Sequence, residues 1–567
     1  MRFDLIGLTL FFTASMGLAI LTGRYIGRVF RGNSTWLDWL GPLERQLYRL
    51  IGVDPNEPMT WQQYALALGT LNGVWLVYAF GMLLVQSVIP VWNQQQIPDM
   101  DWMLALNTAI SFLTSTNLQH YSGESGVTYF SQMGVLMFLQ FASAATSLSV
   151  GVAVVRSLQP HTSRNVGNLY QDLVLSITRV FMPLSLIGAI ALVLTGVPMT
   201  FSSYSVIETI EGVSQTIASG PVAAMLPIKH LGSNGGGFFG ANTAHPFENP
   251  NAFSYLINLL NVLLLPMAFI CFVGDFLNRR KLAVILFTIM TGYFLALTIP
   301  IVTQELRGNP AIQSLGISQA SGSLEGKEMR FGTLASAVWC GVNVVIPAGT
   351  LTGMHDSFTP LSGLFMLLGM QLDAFYGGVG SGFLYMFLYL IIAMFIGSLM
   401  IGRTPELLGK KVGIPEMQIA SVILVALPLL YLGATGLAVA IHNGHPDVGW
   451  LSNPGYHGFT TMLYEFVSSA AGNGSGFEGL GDNTPFWNLS TAVVMLLGRF
   501  IPLIGPLAIG GLLLQKQYVP PTVGVLPAES WTFGLLLAAV IIISGALSIF
   551  PAATLGPIAE YLTQYHF

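Results

Sequence analysis

Four stretches of the sequence combine glycine with hydroxyl side chains, and three of them also have an amide side chain; none contains Asp, Glu, Lys or Arg. They cover residues 114–123, 232–240, 346–350 and 471–477. Glycine takes either sign of φ, so it lets successive carbonyl oxygens turn toward one axis. Carbonyl and hydroxyl oxygens can replace the water shell of an alkali cation, whereas Ca²⁺ and Mg²⁺ favour charged ligands. These residue types therefore predict a neutral oxygen cage that binds a monovalent cation.

The four stretches recur at similar intervals. Aligning Asn117, Asn234, Ala348 and Asn473 gives spacings of 117, 114 and 125 residues, and such self-similarity indicates repeated structural units. The third stretch keeps a glycine but has no polar side chain at the aligned asparagine position. One stretch alone would fit a solvated turn, but four at matched positions favour a shared site around one axis.

A short apolar segment precedes each stretch. These segments cover residues 102–113, 220–231, 331–345 and 457–470. A spanning helix needs about 20 apolar residues, so each segment is too short to cross a bilayer but long enough to dip into it. Non-helical backbone at membrane depth persists only where it lines a cavity or is buried in protein. The pattern predicts four re-entrant pore helices, each followed by a filter loop.

The composition of the chain requires a membrane around these segments. Of its 567 residues, 53% are hydrophobic and only 8% are charged; so few polar groups could not cover the apolar core in water, which excludes a soluble enzyme. Ten segments are long and apolar enough to span a bilayer. They cover residues 5–21, 64–89, 129–155, 173–197, 253–276, 282–302, 383–401, 419–441, 487–514 and 531–550. We expect an all-α integral membrane protein in which four quasi-repeats of helix, re-entrant pore helix, filter loop and helix surround a central pore.

The repeats divide the chain into six segments. An N-terminal extra helix with a basic loop is expected at 1–60 and a C-terminal extra helix at 518–567. The four pore repeats are expected at 61–160, 161–277, 278–412 and 413–517. The loops after spans one, three, five, seven and nine hold 14 of the 21 Lys and Arg residues. Because short basic loops stay cytoplasmic, both termini are predicted to be extracytoplasmic.

Two further features fall at or within the predicted spans. Arg499 lies about midway along the ninth span, where an arginine is costly and marks function by default. We expect its guanidinium to face the pore below the filter, with a buried ion pair or a packing role as the alternative. Residues 377–382 include four glycines, which would unwind a helix. They predict either a gate beneath the third loop, involving Gly378, Gly380 and Ser381, or a simple helix start.

With these features assigned, the chain closely resembles the family of potassium-binding subunits of the bacterial Kdp potassium-pumping ATPase. That family is similar in plan to the Trk, Ktr and HKT potassium transporters. The resemblance covers essentially the whole length and includes the string LGSNGGGFFGANTAHPFENP at 231–250. The other motifs that carry it lie at 117–124, 354–360, 377–382, 402–406 and 473–475.

The resemblance implies a potassium filter with four parts. They are Thr116, Asn117, Leu118 and Gln119; Ser233, Asn234, Gly235 and Gly236; Pro347, Ala348, Gly349 and Thr350; and Gly472, Asn473, Gly474 and Ser475. By the same resemblance, Gly235, Gly349 and Gly474 are the critical backbone positions, and Gln119 matches a position at the ion site. Arg499 and the 377–382 cluster match the family's pore-facing arginine and gating loop.

The third filter departs from the family's usual pattern. Ile346, Pro347 and Ala348 stand where the family has a Thr- and Ala-rich approach followed by Ser and Asn or Cys. Proline has no backbone N–H and a fixed φ, and Ile346 is bulky. We expect affinity or selectivity at this quadrant to differ.

The source of energy lies outside this chain. The sequence has no GxxxxGK[ST] phosphate loop and no cytoplasmic loop large enough for a catalytic domain, so we do not expect it to hydrolyse ATP. The resemblance implies that the chain takes K⁺ from the extracellular or periplasmic side of the bacterial inner membrane. It would deliver the ion to a P-type ATPase catalytic subunit, with small accessory membrane subunits completing the complex. Neither a cofactor nor a metal beyond K⁺, the transported ligand, is expected, and no nucleic acid.

Two other function classes remain open at this point. A stand-alone potassium channel or ion-coupled symporter of the Trk, Ktr or HKT type would move K⁺ without a partner. A membrane metalloenzyme would use some of the nine histidines, but none of them forms an HExxH motif. We expect most of these histidines to be solvated loop or interface residues.

Overall fold

The computed structural model describes residues 5–89, 91–93, 95–160, 164–202, 204–372, 376–519 and 526–565. Within these ranges, ten helices are long and apolar enough to cross a membrane. In chain order, spans 1 to 10 are Leu5–Phe30, Trp61–Leu84, Tyr129–Ser157, Leu169–Leu194, Ala252–Phe276, Arg280–Arg307, Ser381–Met400, Ile414–Gly444, Pro485–Leu514 and Trp531–Ala553. Each lies where the sequence predicts a span, and the prediction of a helical membrane protein is confirmed.

Four shorter helices precede the four candidate filter loops. Half-helices 1 to 4 are Trp102–Leu113, Val222–Leu231, Gly332–Val345 and Tyr456–Ala471. At 10 to 16 residues and 1.5 Å per residue, they are about 15–24 Å long and shorter than the hydrocarbon core of a bilayer. Each lies between an even-numbered span and the following odd-numbered span, as the repeat pattern predicts.

The spans that follow the filter loops form the inner part of the molecule. In spans 3, 5, 7 and 9, buried residues make up 89%, 78%, 72% and 56% of the most apolar window. The corresponding shares in spans 2, 4, 6 and 8 are 22%, 33%, 39% and 22%. Because the alternation repeats in every unit, four quasi-equivalent units surround one axis, each with an inner helix and an outer helix.

The structure contains an apolar helix that the sequence does not predict. Pro360–Leu372 follows the third filter loop and has only 13 residues, so its hydropathy does not mark it as a span. Proline is tolerated in the first turn of a helix, and Pro360 begins this one. Pro360–Leu372 packs against half-helices 3 and 4, and span 7 begins at Ser381. The glycine cluster at 377–382 therefore lies where span 7 begins.

The other elements are short and lie between the spans or after the last one. Two antiparallel strand pairs, which the sequence does not predict, join Ser205–Glu208 to Ser214–Ile217 and Glu406–Leu407 to Lys410–Lys411. The short helices include Gly41–Ile51, Gly123–Gly126, Pro310–Ser314 and Ala559–Tyr565. Span 1 packs against span 5, where Gly23 lies so close to Ala268 that a side chain would not fit.

Candidate ion filter

The four candidate filter loops meet as neighbours around one axis. We call residues 115–119, 233–236, 347–350 and 472–475 loops 1 to 4. Loop 1 contacts loop 2 where Ser115 Oγ donates to Asn234 Oδ1 at 2.5 Å. Each of the other three contacts joins a glycine to a carbonyl oxygen of the next loop, with no room for a side chain. These pairs are Gly235 with Ala348, Gly349 with Asn473, and Gly474 with Thr116. The loops therefore close a ring in the order 1, 2, 3, 4.

One backbone conformation recurs at the equivalent point of each loop. Its φ is positive, in the left-handed region that glycine adopts most readily. The four residues are Asn117 at 56°, Gly235 at 78°, Gly349 at 55° and Gly474 at 89°. Three of them are the glycines that the family resemblance singles out, and in loop 1 an asparagine takes the same place. Asparagine is one of the few side chains that visit this region routinely.

This conformation corrects the alignment of loop 1 by one residue. The sequence alone aligns Asn117 with Asn234 because both are asparagines. By backbone conformation, Thr116 is the residue equivalent to Asn234, Ala348 and Asn473. The four repeats share a backbone conformation, so matching their side chains gives the wrong register for loop 1.

The asparagine side chains of the ring bond to the surrounding protein. Asn234 Oδ1 accepts a hydrogen bond from Ser143 Oγ at 3.0 Å, and its Nδ2 donates to the carbonyl of Gln140 at 3.1 Å. Asn473 Nδ2 donates to the carbonyl of Asn343 at 2.8 Å. These amides fix the loops, which leaves backbone carbonyls as the candidate ion ligands.

Loop 3 is held differently because Ala348 has no amide side chain. Asn343, on half-helix 3, accepts a hydrogen bond from the backbone N–H of Thr350 at 3.0 Å. Trp339 Nε1 donates to the carbonyl of Thr350 at 2.9 Å. Pro347 lines the space below the ring. The half-helix thus supplies the bonds that the loop's own side chain supplies in loops 2 and 4, while the expected difference in ion affinity stays a prediction.

The outer ends of the loops are also tied to neighbouring backbone. Gln119 Oε1 accepts from the N–H of Gly237 at 2.7 Å, and its Nε2 donates to the carbonyl of the same residue at 3.2 Å. The carbonyl of Leu118 accepts from Ser111 Oγ at 2.9 Å. Gly236 packs against Asn117. The Gln119 side chain therefore joins loop 1 to the segment after loop 2.

A small cavity of about 20 Å³ lies beneath the ring. It has room for about one water molecule. The inner ends of the loops, the glycine cluster and span 9 line it, through Ser115, Ser233, Pro347, Gly472, Gly378, Ser381 and Arg499. Arg499 thus lines the space below the ring, and its role in the pore stays a prediction. The guanidinium of Arg499 donates to Ser147 Oγ of span 3.

Gly380 has a packing role beside this cavity. Its φ is 82°, and a side chain there would collide with the backbone of Ser147. The neighbouring Gly377 donates its N–H to the carbonyl of Val345, at the end of half-helix 3, at 3.2 Å. The glycine cluster therefore connects the third half-helix to span 3 directly under the ring.

The described residues include three ion pairs with both side chains buried that the sequence does not predict. They are Lys229 with Glu248 at 2.6 Å, Lys327 with Glu305 at 2.8 Å, and His120 with Glu465 at 3.4 Å. The first and last pairs join residues 19 and 345 positions apart. Local sequence patterns contain no signal for such partners.

His120 is an exception to the expectation that most of the histidines are solvated loop or interface residues. It is buried in the outer segment after loop 1, and its Nδ1 lies 2.7 Å from Asn488 Oδ1. Burial lowers its pKa, but Asp482 and Glu465 more than offset this and raise the pKa to about 9. His230 and His355 are buried as well. The neighbouring carboxylates therefore favour the protonated form of His120.

The comparison with known families decides where the chain belongs. The model of the potassium-transporting ATPase A subunit family matches residues 9–562. The chain belongs to this family. Two relatives are named potassium-transporting ATPase potassium-binding subunit. The one from Flavobacterium johnsoniae is 48% identical over 99% of this chain and 100% of its own. The one from Bacteroides thetaiotaomicron is 45% identical over 96% of this chain and 97% of its own.

Membership of the A subunit family agrees with the resemblance drawn from residues 231–250. The name that the two relatives share says that they bind potassium. Among solved structures, the potassium transporter TrkH from Vibrio parahaemolyticus is similar with a TM-score of 0.49 and 14% identity, over 87% of this chain and 96% of that chain.

Proposed function

We propose that the chain binds K⁺ from the extracellular or periplasmic side in the ring formed by loops 1 to 4. The observation that carries the proposal is the closure of the ring, in which three glycines abut carbonyl oxygens of the next loop. Uncharged carbonyl oxygens at a fixed spacing can replace the hydration shell of K⁺. The candidate ligands are the carbonyls of Thr116, Asn234, Ala348 and Asn473.

The half-helices favour a cation at the same place. Half-helix 4 ends at Ala471, directly before loop 4, and half-helix 2 ends at Leu231, two positions before loop 2. The C-terminal end of a helix carries about half a negative charge. Four such ends around one ring attract a monovalent cation without the strong binding that a carboxylate would add.

We further propose that K⁺ passes from the ring into the cavity and then to a P-type ATPase catalytic subunit. The names of the relatives support an ATPase partner, because each is called a subunit of a potassium-transporting ATPase. Hydrolysis of ATP by that partner would supply the energy for uptake, and small accessory membrane subunits would complete the complex. K⁺ is the cargo, and the chain needs no cofactor for this role.

The proposed setting is the bacterial inner membrane, with both termini on its outer side. An even number of spans, as counted within the described residues, would put both termini on one face of the membrane, and the basic loops favour the cytoplasm for the opposite face. Small tags at the termini should be accessible to a membrane-impermeant reagent in intact spheroplasts. If the tags are labelled only after lysis, both termini lie on the cytoplasmic side and the proposed orientation is wrong.

The test of the function is ATP hydrolysis by the complex purified with this chain. We expect hydrolysis to rise with K⁺ and to respond little to Na⁺. No K⁺ stimulation in an assembled complex would contradict the pump assignment. In parallel, the chain alone is reconstituted in liposomes. Rapid K⁺ flux through it without a partner would favour the stand-alone channel or symporter.

A further inference from the structure

We infer that the buried Lys229–Glu248 pair sets the ion selectivity of the filter, by positioning loop 3 through Asn242. The inference rests on the proposed potassium-binding function. None of these three residues lies in loops 1 to 4. All three belong to the second unit, but Asn242 donates a hydrogen bond to Gly349 in the third unit.

The Lys229 side chain occupies an enclosed polar site behind loop 2. It is completely buried on half-helix 2. Its Nζ donates to Asn242 Oδ1 at 2.5 Å, Thr243 Oγ1 at 2.8 Å and Glu248 Oε2 at 2.6 Å. An ammonium group has three N–H donors, and all three are used. A buried ammonium with full hydrogen bonding and a paired charge is held in one geometry.

Lys229 also anchors loop 2 through its backbone. Its carbonyl accepts hydrogen bonds from the N–H groups of Asn234 at 3.0 Å and Gly235 at 3.4 Å. The same residue therefore holds loop 2 with its main chain and the segment after loop 2 with its side chain.

Glu248 closes the segment that returns from loop 2. Its Oε1 accepts from the N–H of Phe238 at 2.7 Å and that of Phe239 at 3.2 Å. Its Oε2 accepts from Lys229. Residues 238–248 are thereby fixed at both ends, with the carboxylate fully buried. This fixes Asn242, which lies between them.

Asn242 links this segment to loop 3 by hydrogen bonds. Its Oδ1 accepts from Lys229, and its Nδ2 donates to the carbonyl of Gly349 at 3.2 Å. Thr243 Oγ1 lies 2.7 Å from Thr350 Oγ1 and adds a second contact to the same loop. Loop 3 has no asparagine of its own at the ring position, since Ala348 stands there. Asn242 therefore adds to the two bonds from Trp339 and Asn343 that hold this loop.

A second buried pair provides a matched control. Lys327 and Glu305 are also fully buried at their side chains, and their charged atoms lie 2.8 Å apart. Glu305 accepts hydrogen bonds from Thr359 and Ser362, which lie at the start of the helix Pro360–Leu372. The two pairs have the same chemistry and burial, but only the Lys229 pair is joined to a filter carbonyl through Asn242.

The test uses the complete ATPase complex with three variants of this chain. The double variant Lys229→Met with Glu248→Gln removes both charges together, which avoids leaving one of them unpaired in the interior. The double variant Lys327→Met with Glu305→Gln is the control. The third variant, Asn242→Asp, keeps the acceptor for Lys229 but removes the donor to Gly349.

We measure half-saturating K⁺ and Rb⁺ concentrations and the maximal rate of ATP hydrolysis. For the Lys229–Glu248 variant and for Asn242→Asp, we expect half-saturating K⁺ to rise about tenfold and the preference for K⁺ over Rb⁺ to narrow, with the maximal rate kept within about twofold. The Lys327–Glu305 variant should retain the wild-type ion preference. A loss of stability alone would not change that preference.

Two results would overturn the inference. One is an unchanged ion preference in folded complexes carrying Asn242→Asp. The other is an equal change in the Lys327–Glu305 control. If the Lys229–Glu248 variant does not assemble, Asn242→Asp decides alone. Should the wild-type complex lack K⁺-stimulated hydrolysis, the proposed function fails. The inference is then judged by the shift in unfolding temperature that K⁺ and Rb⁺ produce in the solubilised chain and in its Asn242→Asp variant.

Discussion

Gly474 in loop 4 faces the carbonyl oxygen of Thr116 in loop 1 with no space between them for a methyl group. The two residues are 358 positions apart in sequence, yet their contact closes the ring of four loops. The relationship is repeated between loops 2 and 3 and between loops 3 and 4. The width of the ring is therefore set by backbone atoms of neighbouring units.

The variant Gly474→Ala tests this contact. A Cβ would meet the Thr116 carbonyl, and the φ of 89° is unfavourable for alanine. We expect half-saturating K⁺ for ATP hydrolysis to rise by about tenfold or more. Gly481→Ala, where the nearest atoms are at ordinary contact distance, serves as the control and should keep wild-type affinity. Unchanged K⁺ affinity in Gly474→Ala would show that the contact does not set the ring.

Asn117 gives a second prediction, because it occupies the position that is glycine in loops 2, 3 and 4. Its φ of 56° costs a residue such as alanine roughly 1–2 kcal/mol, whereas glycine adopts it freely. We expect Asn117→Gly to retain K⁺-stimulated hydrolysis and Asn117→Ala to lose stability and affinity. The same K⁺ titration and thermal unfolding of both variants measure this. Equal behaviour of the two variants would argue against a backbone role.

Arg499 places a positive charge on the wall of the cavity below the ring. A fixed positive charge there repels a K⁺ ion that enters the cavity from the ring. We predict that Arg499→Gln allows K⁺ to leak through complexes in liposomes without ATP, while Arg499→Lys keeps the charge and stays tight. A fluorescent K⁺-flux assay compares them. Absence of leak in Arg499→Gln, with unchanged affinity and transport, would remove the electrostatic role.

His120 predicts a pH dependence of stability. The acidic side chains around it raise its pKa to about 9, above the ordinary value of 6.5. The protonated ring therefore stabilises the fold in full below pH 6.5, and this contribution is lost as pH rises through about 9. Thermal unfolding of the solubilised chain should occur at lower temperature across this interval, and His120→Gln should flatten the slope. His445→Gln, at an exposed position, should leave it unchanged, and an equal slope in His120→Gln would contradict the assignment.

The sequence alone predicts the spans and half-helices because both depend on the length of local apolar runs. The helix Pro360–Leu372 is not predicted because its apolar run is too short to be distinguished from part of a loop. The register of loop 1 is not predicted either. Asn117 has the same side chain as Asn234, but its positive φ matches that of Gly235.

The buried charges behind the ring illustrate what local patterns cannot supply. Lys229 and Glu248 were recognisable only as members of the motif at 231–250 and its preceding helix. Their pairing depends on how the segment after loop 2 folds back. His120, in the first unit, pairs with Glu465, in the fourth unit. In contrast, the rarity of charges inside membranes marks Arg499 as a candidate pore residue from the sequence alone.

The central claim is that K⁺ is stripped of water within the ring of loops 1 to 4. The most direct measurement is the anomalous diffraction signal of Tl⁺, a K⁺ substitute, in crystals of the chain or its complex. We predict a peak on the axis, at direct coordinating distance from the carbonyls of Thr116, Asn234, Ala348 and Asn473. A peak elsewhere, with an empty ring at saturating Tl⁺, would contradict the account.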